Sequence, residues 1–292
     1  MRRNRINTVI AGLLLAGLFL SMACAARSST TQRPEASMLV LGSLTVGTDG
    51  RVVGHTLDDA AQLPAPVVDV IDRNIARWRF QPVLRDGHAV SARSRMSLRV
   101  VAQPGGRNDY VLSIHGVHFG AANDGSGSRI RNIAPEYPPE AMVARVAGTV
   151  YLALRIDAQG HVQDVAAPQV DLRYLGNSWQ MERYRKLLGR AAERAAQRWL
   201  FKPLPAGQAP VARYAVVPVV FDIHVFGVPG MPPDGPGHWV SYMPGPLQAV
   251  PWFDASRMLP GLAGSLDALP GEGVYMADPD GGLRLLSKLG GS

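Results

Sequence analysis

Ala76–Pro82 reads ARWRFQP, and Ala196–Pro203 reads AQRWLFKP. The shared pattern, Arg-Trp-x-Phe-x-Pro, closes a helical stripe in both places. Ahead of the first copy, Val67, Val68, Ile71, Ile75 and Trp78 recur at helical spacing; ahead of the second, Tyr184, Leu188, Ala191, Ala195 and Trp199 do the same. Pro82 and Pro203 each remove a backbone donor and disfavour helix in the residue before them, so both helices must stop there. Burying a Trp at the end of such a stripe contributes on the order of 2–3 kcal/mol. That accounts for Trp78 and Trp199 as core residues without any ligand. Phe80 and Phe201 re-enter the same core from the extended residues that follow.

Working outward, each stripe is preceded by a hairpin signal. MLVLGSLTV alternates, with Val40, Leu44 and Val46 on one face; TDG at Thr48–Gly50 marks a tight turn, and RVVGHTL returns. In the second half GTVYLALRI places Val150, Leu152, Leu154 and Ile156 on one face, Asp157–Gly160 turns, and HVQDVAAPQV returns. A closing strand follows each Pro, from about Ala89 to Val101 and across VARYAVVPVVFDIHVF, where Pro218 marks an edge or a bulge. The two copies register at Val46/Ile156, Gly50/Gly160, Trp78/Trp199, Phe80/Phe201 and Pro82/Pro203. Two copies are too few for a solenoid, which needs about three. Tandem domains or two halves of one sheet remain. The expected class is α+β, two strand-strand-helix-strand units, each a small antiparallel sheet with a packed helix.

The chain of 292 residues has a net charge of +7. Arg2, Arg3 and Arg5 precede an apolar run, Val9–Ala26, and small residues close it: the signature of an export signal over 1–25. Removing it takes three of those positive charges away, and no Lys/Arg cluster interleaved with aromatics remains to bind nucleic acid. Cys24 is the single cysteine, so no internal disulfide is formed. LSMACAA around it is a permissive lipobox, making Cys24 the lipidation candidate. Cleavage after Ala25 and an uncleaved anchor are the alternatives. All three export the remainder. Residues 26–36 form a polar tether.

Residues 104–129, with NDGSGS near their end, read as a linker. From 227 to 292 Pro and Gly are dense, yet Trp239, Tyr242, Trp252 and Phe253 are too many aromatics for a solvated tail. The segment reads as lying along the domain surface, with a binding motif as the alternative. His115 and His118, with neither a Cys nor an acidic partner beside them, make a poor metal site. No nucleophile elbow, zinc-protease helix or phosphate loop occurs. No catalytic residue, cofactor or small-molecule substrate is expected.

The second copy carries a family likeness. PEYPPEAMVARVAGTVYLALRIDAQGHVQDV, followed by a helix ending AAQRWLFKP, resembles the C-terminal domain of TonB-type energy transducers. The residues that carry it are Tyr137, Pro138, Ala141, Gly148, Val150, Asp157, Gly160, Val162, Trp199, Phe201 and Pro203. The likeness spans about 130–226; residues 37–103 keep Gly50 and the Trp78, Phe80, Pro82 motif but lack Tyr-Pro, and look like a degenerate copy.

What the resemblance implies is a periplasmic, non-catalytic protein-binding module of a Gram-negative envelope. Its partners would be outer-membrane TonB-dependent transporters or other envelope proteins, held by strand addition to an exposed sheet edge. By analogy the edge is the strand around Val211–Phe221, with Val211, Arg213, Ala215 and Val217 as contacts beside Tyr137 and Pro138, or its counterpart Ala89–Val101. Energy transducers also carry an anchor histidine and a long Pro-rich spacer. Here no His lies between Met1 and Gly54, and the tether reaches only roughly 40 Å. Motor coupling therefore has no counterpart in the chain. A structural envelope protein with self-paired domains is the alternative.

Overall fold

The computed structural model describes residues 35–106, 109–120, 129–205, 212–223, 236–271, 273–278 and 282–289. Cys24 and Val211 lie outside them. The architecture is α+β with antiparallel sheets. In the first half, β1 (Glu35–Val46) and β2 (Val52–Leu57) form the hairpin, and α1 (Ala65–Ile75) buries Val67, Val70, Ile71 and Ile75. Pro66 sits in the first turn of α1, where a missing N–H costs nothing. A small hairpin, β3 (Val83–Arg85) and β4 (His88–Val90), leads to β5 (Ala92–Gly106). The stretch read as a linker holds a strand: β6 (Asp109–Phe119) pairs along β5, and β7 (Arg129–Arg131) follows.

The second half begins with α2 (Pro139–Val143), then β8 (Ala147–Ile156) and β9 (Val162–Arg173). Next come α3 (Ser178–Ala196), β10 (Leu200–Phe201) and the closing β11 (Arg213–Phe221). A capping box opens α3: Asn177 Oδ1 accepts from the Gln180 N–H at 2.9 Å, and Gln180 Oε1 accepts from the Asn177 N–H at 3.1 Å. Strand order is the same in both halves, hairpin return, hairpin start, closing strand. Helix α1 packs with one core, α3 with another.

The repeated motif has one backbone job in both halves. Phe80 N–H donates to the Gly50 carbonyl and Phe201 N–H to the Gly160 carbonyl, each at 2.8 Å. The post-helix segment is thereby tied to the hairpin turn. Gly50 and Gly160 hold φ of +76° and +92°, and a Cβ on either would collide with the Phe carbonyl oxygen it faces. Gly160→Ala is expected to destabilise by about 2 kcal/mol or more, since the left-handed φ alone costs roughly 1–2. A shift in urea midpoint smaller than that seen for Gly54→Ala, where a Cβ meets nothing, would refute the tie.

Sequence pattern left the C-terminal region as surface cover; it is instead a pair of staples. It supplies β12 (Trp239–Tyr242), α4 (Ala255–Met258), β13 (Leu262–Gly264) and β14 (Tyr275–Met276). On one flank β12 pairs with β1 of the first sheet, and the next residue, Met243, exchanges backbone hydrogen bonds with Leu172 of β9 in the second. On the other flank β13 pairs with β6 and β14 with β11. Between those two strands Leu266, Ala268 and Leu269 join Tyr151, Ala153 and Val216 in a third buried cluster. The sheet faces turned away from α1 and α3 are thus covered by each other and by this segment. Residues Gln32–Ser292 form one compact unit.

The tail also completes the first copy. β7 pairs with β10 across Phe201, and Leu285 bridges to Phe80 at the equivalent place, with Gln81 N–H on the Arg284 carbonyl. One side-chain difference follows. Trp199 Nε1 donates to the Ile133 carbonyl at 2.7 Å, whereas Trp78 Nε1 has no acceptor among the described residues. The segment between β7 and the Tyr-Pro turn supplies that carbonyl, and the first copy has no such turn.

Candidate functional site

Strand addition needs an edge, so the outer sides of the closing strands are the place to look. Met96 lies opposite Gly42, as Val217 lies opposite Leu152, four residues before Val46 and Ile156 respectively. In the first copy the outer side of β5 is taken by β6, from Met96 opposite Phe119 to Gly106 opposite Asp109. The edge expected at Ala89–Val101 is therefore occupied from Met96 onward. In the second copy β14 takes only Ala215 and Val216, the counterparts of Ser94 and Arg95. Among the described residues no strand pairs with Val217–Phe221 on that side.

The outward groups are not those of the residues expected. Ala277 N–H donates to the Tyr214 carbonyl at 2.7 Å, so Tyr214 points its backbone towards β14. Alternation then turns Val216, Pro218 and Val220 outward, and Arg213, Ala215 and Val217 towards β8. The core-facing residues of a strand all direct their backbone to the same neighbour. A choice made on apolar side chains therefore takes the wrong parity. Pro218 sits where its missing N–H faces away from β8, in unbroken register opposite Tyr151, with no bulge.

Ala215 and Val217 are core side chains. The Arg213 guanidinium donates to the Lys202 carbonyl at 2.7 Å and so holds the post-helix segment. Tyr137 stacks edge-on against Phe221, with centroids 5.4 Å apart, and donates to the Val146 carbonyl at 2.5 Å. Burial, followed by the charge of Asp222, pushes its phenol up to about 12. Pro138 is buried at the N-cap of α2. Tyr137 thereby buttresses the far end of β11.

A buried polar layer between the sheets had no signal in the sequence. Arg99, on the back of β5, is 3 % exposed and donates through Nε to the Asp267 carbonyl at 2.8 Å. Ser97 Oγ donates to the Ala268 carbonyl at 2.6 Å. From β9, Asp171 is 5 % exposed and accepts from the Gly245 N–H at 2.7 Å and from Gln169 Nε2 at 3.0 Å. Burial first, and then the charge of Asp267, push the Asp171 carboxyl up to about 7. A cavity of about 20 Å³, lined by Ser37, Arg99, Thr149, Tyr151, Asp171 and Arg173, adjoins it. That is room for one water.

His118 is buried edge-on against Tyr275, and desolvation lowers its pKa to about 4, which keeps the ring neutral near pH 7. His115 lies on the same strand beside the staple; among the described residues no group of His, Cys, Asp and Glu gathers as metal ligands. A larger, mostly apolar cavity of about 790 Å³ lies among residues 247–266, with Leu285 and Pro168 in its wall. Among the described residues no helix is long and apolar enough to cross a membrane. Compared with known proteins, the chain matches no family model, no curated protein and no solved structure.

Proposed function

We propose that this chain is an exported, non-catalytic protein-binding module built from two units resembling the TonB C-terminal domain. In this reading it takes an extended segment of an outer-membrane transporter or another envelope protein on the outer edge of β11. One observation carries the reading: the same edge in the two copies is filled differently. A strand of 11 residues lies along β5, whereas two residues of β14 lie along β11. The fold thus displays in one half the occupant that the other half lacks. The accepting stretch is Val217–Phe221, where Val220 offers both N–H and C=O and Pro218 only C=O.

Pro218 favours a second reading, a self-contained structural envelope protein, because an outward-facing proline is a common guard against strand addition. Titrating the isotope-labelled mature chain with synthetic peptides from transporter N-terminal segments separates the two. Shifts of the Val216 and Val220 amides, with new exchange protection at Val220, are expected. A β11 edge that stays silent across the peptide panel would favour the self-contained protein.

A further inference from the structure

A second sheet edge carries no proline and, over most of its length, no covering strand. The outer side of β6 is taken by β13 from Gly116 to His118, and the His115 carbonyl accepts from the Ser265 N–H at 3.3 Å. Among the described residues, no strand pairs with Asp109–Ile114 on that side. The bulge opposite Arg99/Val100 resets the alternation, leaving Val111 and Ser113 facing Gln103 and Val101 of β5. Tyr110, Leu112 and Ile114 therefore direct their backbone groups outward. The Tyr110 N–H is met by the carboxylate of Asp109 at 2.8 Å.

Of the other edges, β9 is blunted by Met243 and the Gln248 N–H on Pro168, and β11 by β14 and Pro218; β2, the outer strand beyond β1, is short, and between Val53 and Leu57 it carries Gly54, His55 and Thr56 rather than large apolar residues. Asp109–Ile114 contains no Pro, Lys or Arg. Tyr110 and Val111, on opposite faces, are 64 % and 57 % exposed. An unprotected edge with exposed apolar residues on both faces is a template for another strand.

We propose that Asp109–Ser113 is a dimerisation strand that pairs antiparallel with the same stretch of a second copy, about a two-fold axis at Val111. The length of the bare stretch selects that occupant. It begins at Asp109, the first residue of β6, and is bounded by Ser265 at the other end. Self-pairing about Val111 uses Asp109–Ser113 in both copies and stops before Ser265, whereas a strand running past His115 meets it. Tyr110 then lies against the partner's Leu112, with both outward-facing, so that each pair exchanges two backbone hydrogen bonds, the Tyr110 N–H passing from the Asp109 carboxylate to the partner's carbonyl. The acidic Asp109 falls opposite the hydroxyl of the partner's Ser113. Such a contact is isologous and closed, joining two six-stranded sheets without seeding a fibre.

The mass of the mature protein in solution, by light scattering across a dilution series, tests this. A dimer is expected. Val111→Lys places a charge on the edge, and Tyr110→Pro removes an outward N–H without touching the β5 ladder. Each is expected to weaken dimerisation roughly tenfold or more while leaving the melting temperature of the monomer unchanged. Peptide binding at β11 should be unaffected, which separates this inference from the proposed function. A monomeric wild type, including one whose 110–114 amides become protected only with a foreign protein, would overturn it. So would variants that dimerise as the wild type does.

Discussion

A chain ending at Ile223 is expected not to fold into two intact halves; it should aggregate or remain as an expanded, dye-binding state. The cut removes β12, β13 and β14, and with them both staples. Phe253, Leu259, Leu262, Leu266, Leu269, Val274, Tyr275 and Leu283 are buried side chains of the removed segment. At about 2 kcal/mol for each large apolar side chain buried, their loss exceeds the ~5–15 kcal/mol by which domains are usually stable. The backs of the sheets would also be bared. Tyr151, Ala153 and Val216 would lose their cover, and Arg99 and Ser97 their carbonyl acceptors. Thermal melting with light scattering, against the full mature chain, checks this. A soluble truncated chain with a cooperative transition near that of the full chain would mean that the halves stand alone and that the staples are ornament.

This expectation runs against the plain reading of the sequence, and the reason is physical. Periodicity reports which side chains of an element are apolar, so the helix-facing stripes of β1, β8 and α1 were legible from Val40, Leu44, Val46, Val150 and Val67. The motif around Trp78 and Trp199 was legible as punctuation because Pro and Gly act locally. The other sheet face was not. Ser37, Ser97, Arg99, Thr149 and Asp171 look like the wet side of a half-buried sheet, and only their meeting across the sandwich buries them. Backbone direction is equally silent in sequence, which is why the outward groups of β11 belong to Tyr214, Val216, Pro218 and Val220.

Long-range pairing by short segments is the other blind spot. Two residues of β14 or one of Met243 carry no strand signal, yet each closes an edge. Strand β6 was hidden for a different reason. HGVHFG reads as broken by Gly116 and Gly120, and its alternation is interrupted by the bulge. The first copy looked degenerate for want of a Tyr-Pro opening. The tail around Leu285 stands where β7 stands in the second copy, so the missing piece is supplied from the far end of the chain.

Asp171→Asn is expected to raise stability at pH 8 and to leave it nearly unchanged near pH 4. In the folded chain burial and Asp267 lift this carboxyl to about 7, against an ordinary value of 3.8. Between those limits the folded protein keeps a proton that the unfolded chain has lost, so stability falls as pH rises through the window and stays reduced above it. At about 1.4 kcal/mol per pH unit of displacement, the loss amounts to a few kcal/mol. The groups facing Asp171 are Asp267 on the staple, Arg99 on β5, Arg185 on α3, the Gln169 amide and the Gly245 N–H. The asparagine variant keeps an acceptor for Gly245, and Gln169 can turn its amide to match, so the substitution removes the charge and little else. Melting temperatures of wild type and variant should therefore diverge with rising pH. The amides of residues 262–271 should show the same divergence in exchange protection, because the Asp171 charge arrives beside Asp267, where the staple enters the sandwich. Parallel stability curves would mean that Arg99 and Arg185 hold the Asp171 carboxylate ionised throughout, and the layer would then be a fixed ion cluster rather than a proton-dependent one.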